Sequence, residues 1–171
     1  LAKAFVRFLQ LVPEARSRAR LVIVGEGPLR QKVEAILKDA GLSDLAWLPG
    51  TRSDIPDVLR ALDVFVLPSQ TEGTSCTLQE AMATGLPSIC TAVGGTPDVL
   101  QHGEHGFLVP SEDVEAMAEA LKIYWTTPAL ALAHGVAARK LAVARFGLDA
   151  MVQQYDAVFS AHNKDAHPPR P

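Results

Sequence analysis

Short apolar runs that alternate with amphipathic helices predict an α/β chain, with a doubly wound, mostly parallel sheet covered by helices on both faces. Three observations carry this expectation. The runs at residues 21–24, 45–48, 64–67 and 88–92 are short and mostly apolar without alternation, as strands buried on both faces require. Each is followed by glycine, proline or small polar residues and then by helix-period spacing. The length of 171 residues suits one domain, and 48% hydrophobic with 20% charged residues is an ordinary globular composition.

The chain opens in a predicted helix at residues 1–12, where Phe5, Phe8, Leu9 and Val12 fall at i, i+3, i+4 and i+7. A strand at 21–24 ends at Gly25. A helix is expected over 28–40, with Pro28 at its first position and Gly41 just past its end. A strand at 45–48 closes at Pro49-Gly50, a helix at 54–62 carries Pro56 in its first turn, and a strand follows at 64–67. A helix at 77–84 stops at Gly85, and a strand at 88–92 leads to Gly94-Gly95. A one-turn helix at 96–101, a strand at 107–109 and helices at 112–125, 128–145 and 148–161 complete the pattern. A sheet of this kind normally opens with a strand, whereas this sequence opens in a helix. The unit expected over 1–161 therefore lacks its first strand and is expected to come from a longer protein. The polar, proline-containing stretch 162–171 reads as a disordered tail.

Charge and composition narrow the partners. A net charge of −3 without a basic stripe argues against a nucleic-acid surface. No apolar run approaches the roughly 18 residues of a membrane span, and no signal peptide is visible. Two cysteines, Cys76 and Cys90, make no disulfide framework and read as reduced thiols of a cytoplasmic protein. His102 and His105 stand three apart in a glycine loop, where a turn is the better reading than a metal site.

Three strand-to-helix junctions carry the chemistry. They are Gly25-Glu26-Gly27-Pro28, the loop from Ser69 to Thr77, and Gly94-Gly95-Thr96-Pro97. A parallel sheet places all three at the carboxyl edge of its strands, where ligands bind. Helix N-termini focus positive potential there, and glycines admit a ligand close to the backbone. Glu72 and Glu80 bracket the middle junction, eight positions apart. Carboxylates accept hydrogen bonds from sugar hydroxyls, so amides and carboxylates together suit a sugar nucleotide. Plainer readings stand beside these. Gly25 and Gly94-Gly95 also fit ordinary turns, Glu72 fits a solvated loop, and Thr77 with Glu80 fits a capping box.

The order and spacing of these segments resemble the C-terminal, donor-binding domain of GT-B glycosyltransferases of the GT4 type, the retaining "glycosyl transferase group 1" family. The resemblance covers nearly the whole chain. It rests on Gly25-Glu26-Gly27-Pro28, Pro49-Gly50, the run from Ala61 to Ser69, and the Glu72–Glu80 spacing of the family's EX7E motif. It continues through Glu80 to Pro87, Gly94 to Asp98, Gly106 to Pro110, Ala138-Arg139 to Phe146, and the helix holding Tyr155.

The resemblance implies a Rossmann-like half of a GT-B fold that binds a nucleotide-diphosphate sugar, UDP- or GDP-linked, for transfer with retention of anomeric configuration. No metal and no cofactor are implied. The family's roles would put Glu72 at the reacting centre and Glu80 on the ribose hydroxyls. Gly73, Thr74, Ser75, Cys76, Thr77 and Leu78 would meet sugar and diphosphate largely through backbone amides. Gly25 would line the donor site, and Thr51 and Arg52 the nucleobase. The family's diphosphate-gripping arginine and lysine lie upstream of the first helix and are absent here, as is the N-terminal acceptor domain. The fragment alone is therefore expected to be inactive, with any membrane association resting on the absent domain. The alternatives are a sugar-nucleotide epimerase or phosphorylase of the same architecture, or a non-catalytic nucleotide-binding α/β module.

Overall fold

The strands pair only in parallel, in two ladders: β1 (Leu21–Val24) with β2 (Ala46–Gly50), and β3 (Phe65–Leu67), β4 (Ser88–Thr91) and β5 (Gly106–Val109) in that order. A computed structural model describes residues 1–165. The helices are α1 (Ala2–Leu11), α2 (Arg30–Asp39), α3 (Ile55–Arg60), α4 (Cys76–Thr84), α5 (Thr96–Val99), α6 (Val114–Thr126), α7 (Pro128–Arg145) and α8 (Leu148–Asp165). All five expected strands form, and the single expected sheet is divided between β1 and β3.

β4 shows why helices cover both faces. Its register sets Phe65 against Ser88, Leu67 against Cys90 and Thr91 against Val109, so it is paired on both edges. All four of its residues are buried. Alternate side chains point to opposite faces. Ile89 joins Val109, Met117, Ala120, Tyr124 and Ala4 on one face. Cys90 joins Leu78, Met82, Leu100 and Ala138 on the other. Helices α1 and α6 form the first layer, and α4 and α7 the second. A third cluster sets Phe5, Phe8 and Leu9 of α1, with Val12 just past its end, against Leu21, Leu37, Leu42 and Leu45, so α1 packs toward both ladders. Trp125 belongs with it, edge-on to Phe8 at 6.0 Å.

Several boundaries move, for local reasons. Helix α2 starts at Arg30 because Pro28 and Leu29 form a turn in which the Arg30 amide donates to the Gly27 carbonyl. Helix α4 starts at Cys76, capped by Ser75. Helix α5 ends at Val99, and the Gln101 amide donates instead to His105 Nδ1 at 3.3 Å. Helix α6 starts at Val114 because the Asp113 carboxylate accepts the Ala116 amide. Helix α8 continues through Asp165, so residues 162–165 are helical, and the rest of the expected tail lies outside the described residues. The α8 residues Leu148, Met151, Val152, Tyr155 and Phe159 are exposed.

A buried polar pair ties α6 to α7. His134 Nε2 donates to the Gly103 carbonyl at 3.1 Å, which fixes the tautomer. Nδ1 then accepts from the Tyr124 hydroxyl at 2.9 Å. Burial pushes the Tyr124 hydroxyl pKa up. It pushes the His134 pKa down, opposed by the bond to Gly103 and aided by His105 and His102. A histidine with a depressed folded pKa stabilises the fold above its unfolded value of about 6.5 and loses that contribution as pH falls through the window below. Urea midpoints should therefore fall as the pH drops below about 6.5, and His134→Gln should be less stable at neutral pH with a flatter pH dependence. An unchanged slope in the variant would contradict this origin.

Candidate functional site

Within each ladder the strands run parallel, so the loops after β1 and β2 share one edge, and the loops after β3 and β4 share another. The loop after β3 is the most elaborate. Ser69 Oγ donates to Glu72 Oε1 at 2.6 Å, which holds this half-buried carboxylate. Gly73 and Thr74 are exposed, and Ser75 is buried. Ser75 Oγ accepts the Leu78 amide at 3.3 Å, and its carbonyl accepts the Gln79 amide at 3.3 Å. The helix cap is therefore Ser75. The expected capping box between Thr77 and Glu80 does not form, because the helix starts one residue earlier and Glu80 falls in its second turn.

This shift changes both ends of the motif. Among the described residues, no hydrogen bond occupies the Cys76 and Thr77 amides, which remain available at the helix start. Leu78 buries its side chain completely and spends its amide on Ser75. Glu80 is exposed, with no side-chain hydrogen bond among the described residues. It lines a groove of about 570 Å³ with Cys76, Gln79, Phe146 and Leu148, where α4 meets the α7–α8 corner. Cys76 is exposed, whereas burial pushes the Cys90 thiol pKa up to about 12. Cys90 is core and Cys76 is surface.

Gly25, Thr51 and Arg52 form a second group. Gly25 is exposed at φ +118°, its amide donates to the Gly50 carbonyl at 2.8 Å, and a Cβ there would meet no atom within 4 Å. Thr51 is exposed. Arg52 is engaged: its Nε donates to Asp54 Oδ1 at 2.7 Å, its Nη2 to Oδ2, and its guanidinium lies 5.3 Å from the Trp47 ring centre. The bonds from Arg52 hold the Asp54 carboxyl below its usual pKa. Within this group Arg30 also bridges Glu26, Glu34 and the Leu48 carbonyl. No hydrogen bond or ion pair among the described residues joins this group to the Glu72 loop.

Sequence reading missed the support beneath Glu72. Ser69 precedes it by three, a spacing with many meanings, and Gly94 and Gly95 approach it from another loop. His102 Nδ1 accepts the Leu108 amide at 3.0 Å and His105 Nδ1 the Gln101 amide, so both histidines brace the turn before β5.

Residues 2–126 match the family described as "Glycosyl transferases group 1". This chain belongs to that family. An N-acetyl-alpha-D-glucosaminyl L-malate synthase of Bacillus anthracis is 30% identical over 89% of this chain and 39% of its own length. A D-inositol 3-phosphate glycosyltransferase of Streptomyces griseus is 34% identical over 97% of this chain and 37% of its own length. The chain thus spans less than half the length of these two relatives. Among solved structures, the C-terminal domain of a group 1 family protein from Francisella tularensis superposes with a TM-score of 0.77 at 25% identity, covering 86% of this chain and 77% of that one. A structure of HepE from Anabaena, solved with UDP, shares the fold with a TM-score of 0.83 at 21% identity, over 92% of this chain and 44% of that one. The fold of this group 1 glycosyltransferase domain is that of a GT-B C-terminal half.

The cap assignment separates two substitutions. Ser75→Ala should destabilise the domain by about 1 kcal/mol in urea unfolding, the usual worth of an N-cap hydroxyl, while Thr77→Ala should leave the midpoint nearly unmoved. The reverse order would restore the capping box.

Proposed function

We propose that this domain binds the donor of a retaining, metal-independent transfer of the GT4 type, from a nucleotide-diphosphate sugar, UDP- or GDP-linked, to an acceptor held by another domain. The observation that carries the reading is Glu80, exposed and unengaged among the described residues, one turn beyond the available Cys76 and Thr77 amides. A carboxylate there accepts two ribose hydroxyls, while amides at the helix start meet the diphosphate.

Each element of the motif then has a distinct task. Glu80 holds the ribose. Glu72, braced by Ser69, lies beside the donor sugar, where the bond between anomeric carbon and phosphate oxygen breaks, the acceptor oxygen bonds on the same face, and the acceptor hydroxyl's proton passes to the departing diphosphate. Gly73, Thr74, Cys76 and Thr77 present amides to the sugar and the leaving diphosphate, with Ser75 and Leu78 forming the turn that aims them. Charge developing on the diphosphate is stabilised by these fixed dipoles and by cationic groups outside this chain. Gly25 leaves open space at the donor edge, and Thr51 with the pinned Arg52 borders the nucleobase.

The unit lacks its first strand, and the separation of β1 from β3 supports a strand missing between them. The exposed apolar side of α8 supports contact with a further domain, the acceptor-binding one, without which the chain is inactive. No helix among the described residues is long and apolar enough to cross a membrane. The proposed setting is the cytoplasm, with any membrane contact made by the acceptor domain.

Ligand-observed NMR with UDP, GDP and ADP should give saturation transfer to the base and ribose protons of one nucleotide. Glu80→Gln should weaken that binding by about 1.5–3 kcal/mol, the worth of hydrogen bonds to a charged group. Equal affinity in wild type and variant would remove Glu80 from the site. In an enzyme carrying its acceptor domain, Glu72→Gln should lower turnover far more than nucleotide affinity, and the opposite split would contradict its placement.

A further inference from the structure

The turn after β4 is built against the Glu72 loop at atomic closeness. Gly94 has φ +51°, and a Cβ there would lie 1.7 Å from the Glu72 carbonyl oxygen. A Cβ on Gly95 would lie 2.7 Å from the Gly73 carbonyl oxygen, which already accepts the Gly95 amide at 3.0 Å. Real Cβ atoms do not approach backbone that closely, so either side chain would push the loop away. Three residues before Gly94, at the end of β4, Thr91 is 2% exposed, and its Oγ1 donates to the Ser69 carbonyl at 2.6 Å. Ser69 in turn donates its own hydroxyl to Glu72. The Glu72 carboxylate is therefore held through Thr91 and Ser69, and its backbone through Gly94 and Gly95. The contacts on the Ser69, Glu72 and Gly73 carbonyls all issue from β4 and the turn that follows it.

We propose that Thr91, Gly94 and Gly95 are positioning residues that set the Glu72 carboxylate and the Gly73 backbone against the sugar of the donor, without touching the donor themselves. The assignment rests on the donor-site reading above. It separates two parts of the ligand: Glu80 lies on α4, beyond these contacts, whereas Glu72 and Gly73 depend on them directly. Loosening the β4 turn should therefore cost affinity for the sugar more than affinity for the nucleotide.

Thr91→Val removes the hydroxyl at nearly constant volume. Gly95→Ala adds one methyl at φ −81°, a conformation alanine adopts freely, so its effect comes from pressing on the Gly73 carbonyl, with the Thr74 hydroxyl 3.4 Å away. Dissociation constants of the full chain for UDP and UDP-glucose, and for GDP and GDP-mannose, give the readout. In both variants affinity for the sugar nucleotide should fall about tenfold more than affinity for the matching nucleoside diphosphate, and Thr91→Ser should restore the wild-type ratio. Equal losses for both ligands would mean a general structural defect and overturn the positioning role, as would unchanged ratios in a folded Thr91→Val. Silence of the wild type toward all four ligands would instead overturn the donor-site reading beneath it.

Discussion

The candidate site depends on one strand. β4 is paired on both edges and buried along its whole length, so its position is fixed by two ladders and two helical layers at once. Its last residue and the turn that follows hold the loop after β3. The loop's geometry is thus inherited from the most constrained backbone in the molecule. A loop of small polar residues has little packing of its own and would otherwise sample many conformations. Here its carbonyls are met by glycine backbone and its first residue by a buried threonine hydroxyl.

Much of this was legible in the sequence, and what was not has a physical cause. Short, mostly apolar runs marked all five strands, and β4, buried along its whole length, shows no alternation of buried and exposed positions. Helix starts were less legible. Serine and threonine both cap well, and the pattern Thr77 to Glu80 drew the reading to Thr77, two residues past the true cap, Ser75. Only the tertiary placement of Leu78, fully buried, decides between them. Pro28 suits a first helical turn as well as a bend, and the ion pair between Glu26 and Arg30 accompanies the bend. The Glu72–Glu80 spacing was visible, but the contacts under Glu72 were not. They cross from one loop to another, and a glycine pair in sequence carries no record of what it touches.

The two motif glutamates also differ in kind. Glu72 is half-buried and already bonded, its position set by the fold before any ligand arrives. Glu80 is exposed on a rigid helix, its place fixed by the backbone and its carboxylate open to a partner. On the placement proposed above, a pre-set group beside the reacting atoms and an available one at the remote end of the ligand are the division expected where remote binding energy serves to orient a reacting centre. Helix α7 reinforces it. A Cβ on Gly135 would come within 2.2 Å of the Gly85 carbonyl oxygen, so α7 sits tightly on the end of α4 and keeps that helix from shifting along its axis.

The divided sheet bears on how the chain behaves among its own copies. β1 and β3 each have one pairing partner, and their residues are only partly covered, in contrast to the four buried residues of β4. An uncovered strand edge is a template for any extended peptide that meets it. Two ladders whose end strands β1 and β3 each keep a single partner can take up a further extended segment there, whether it comes from the same polypeptide or from another.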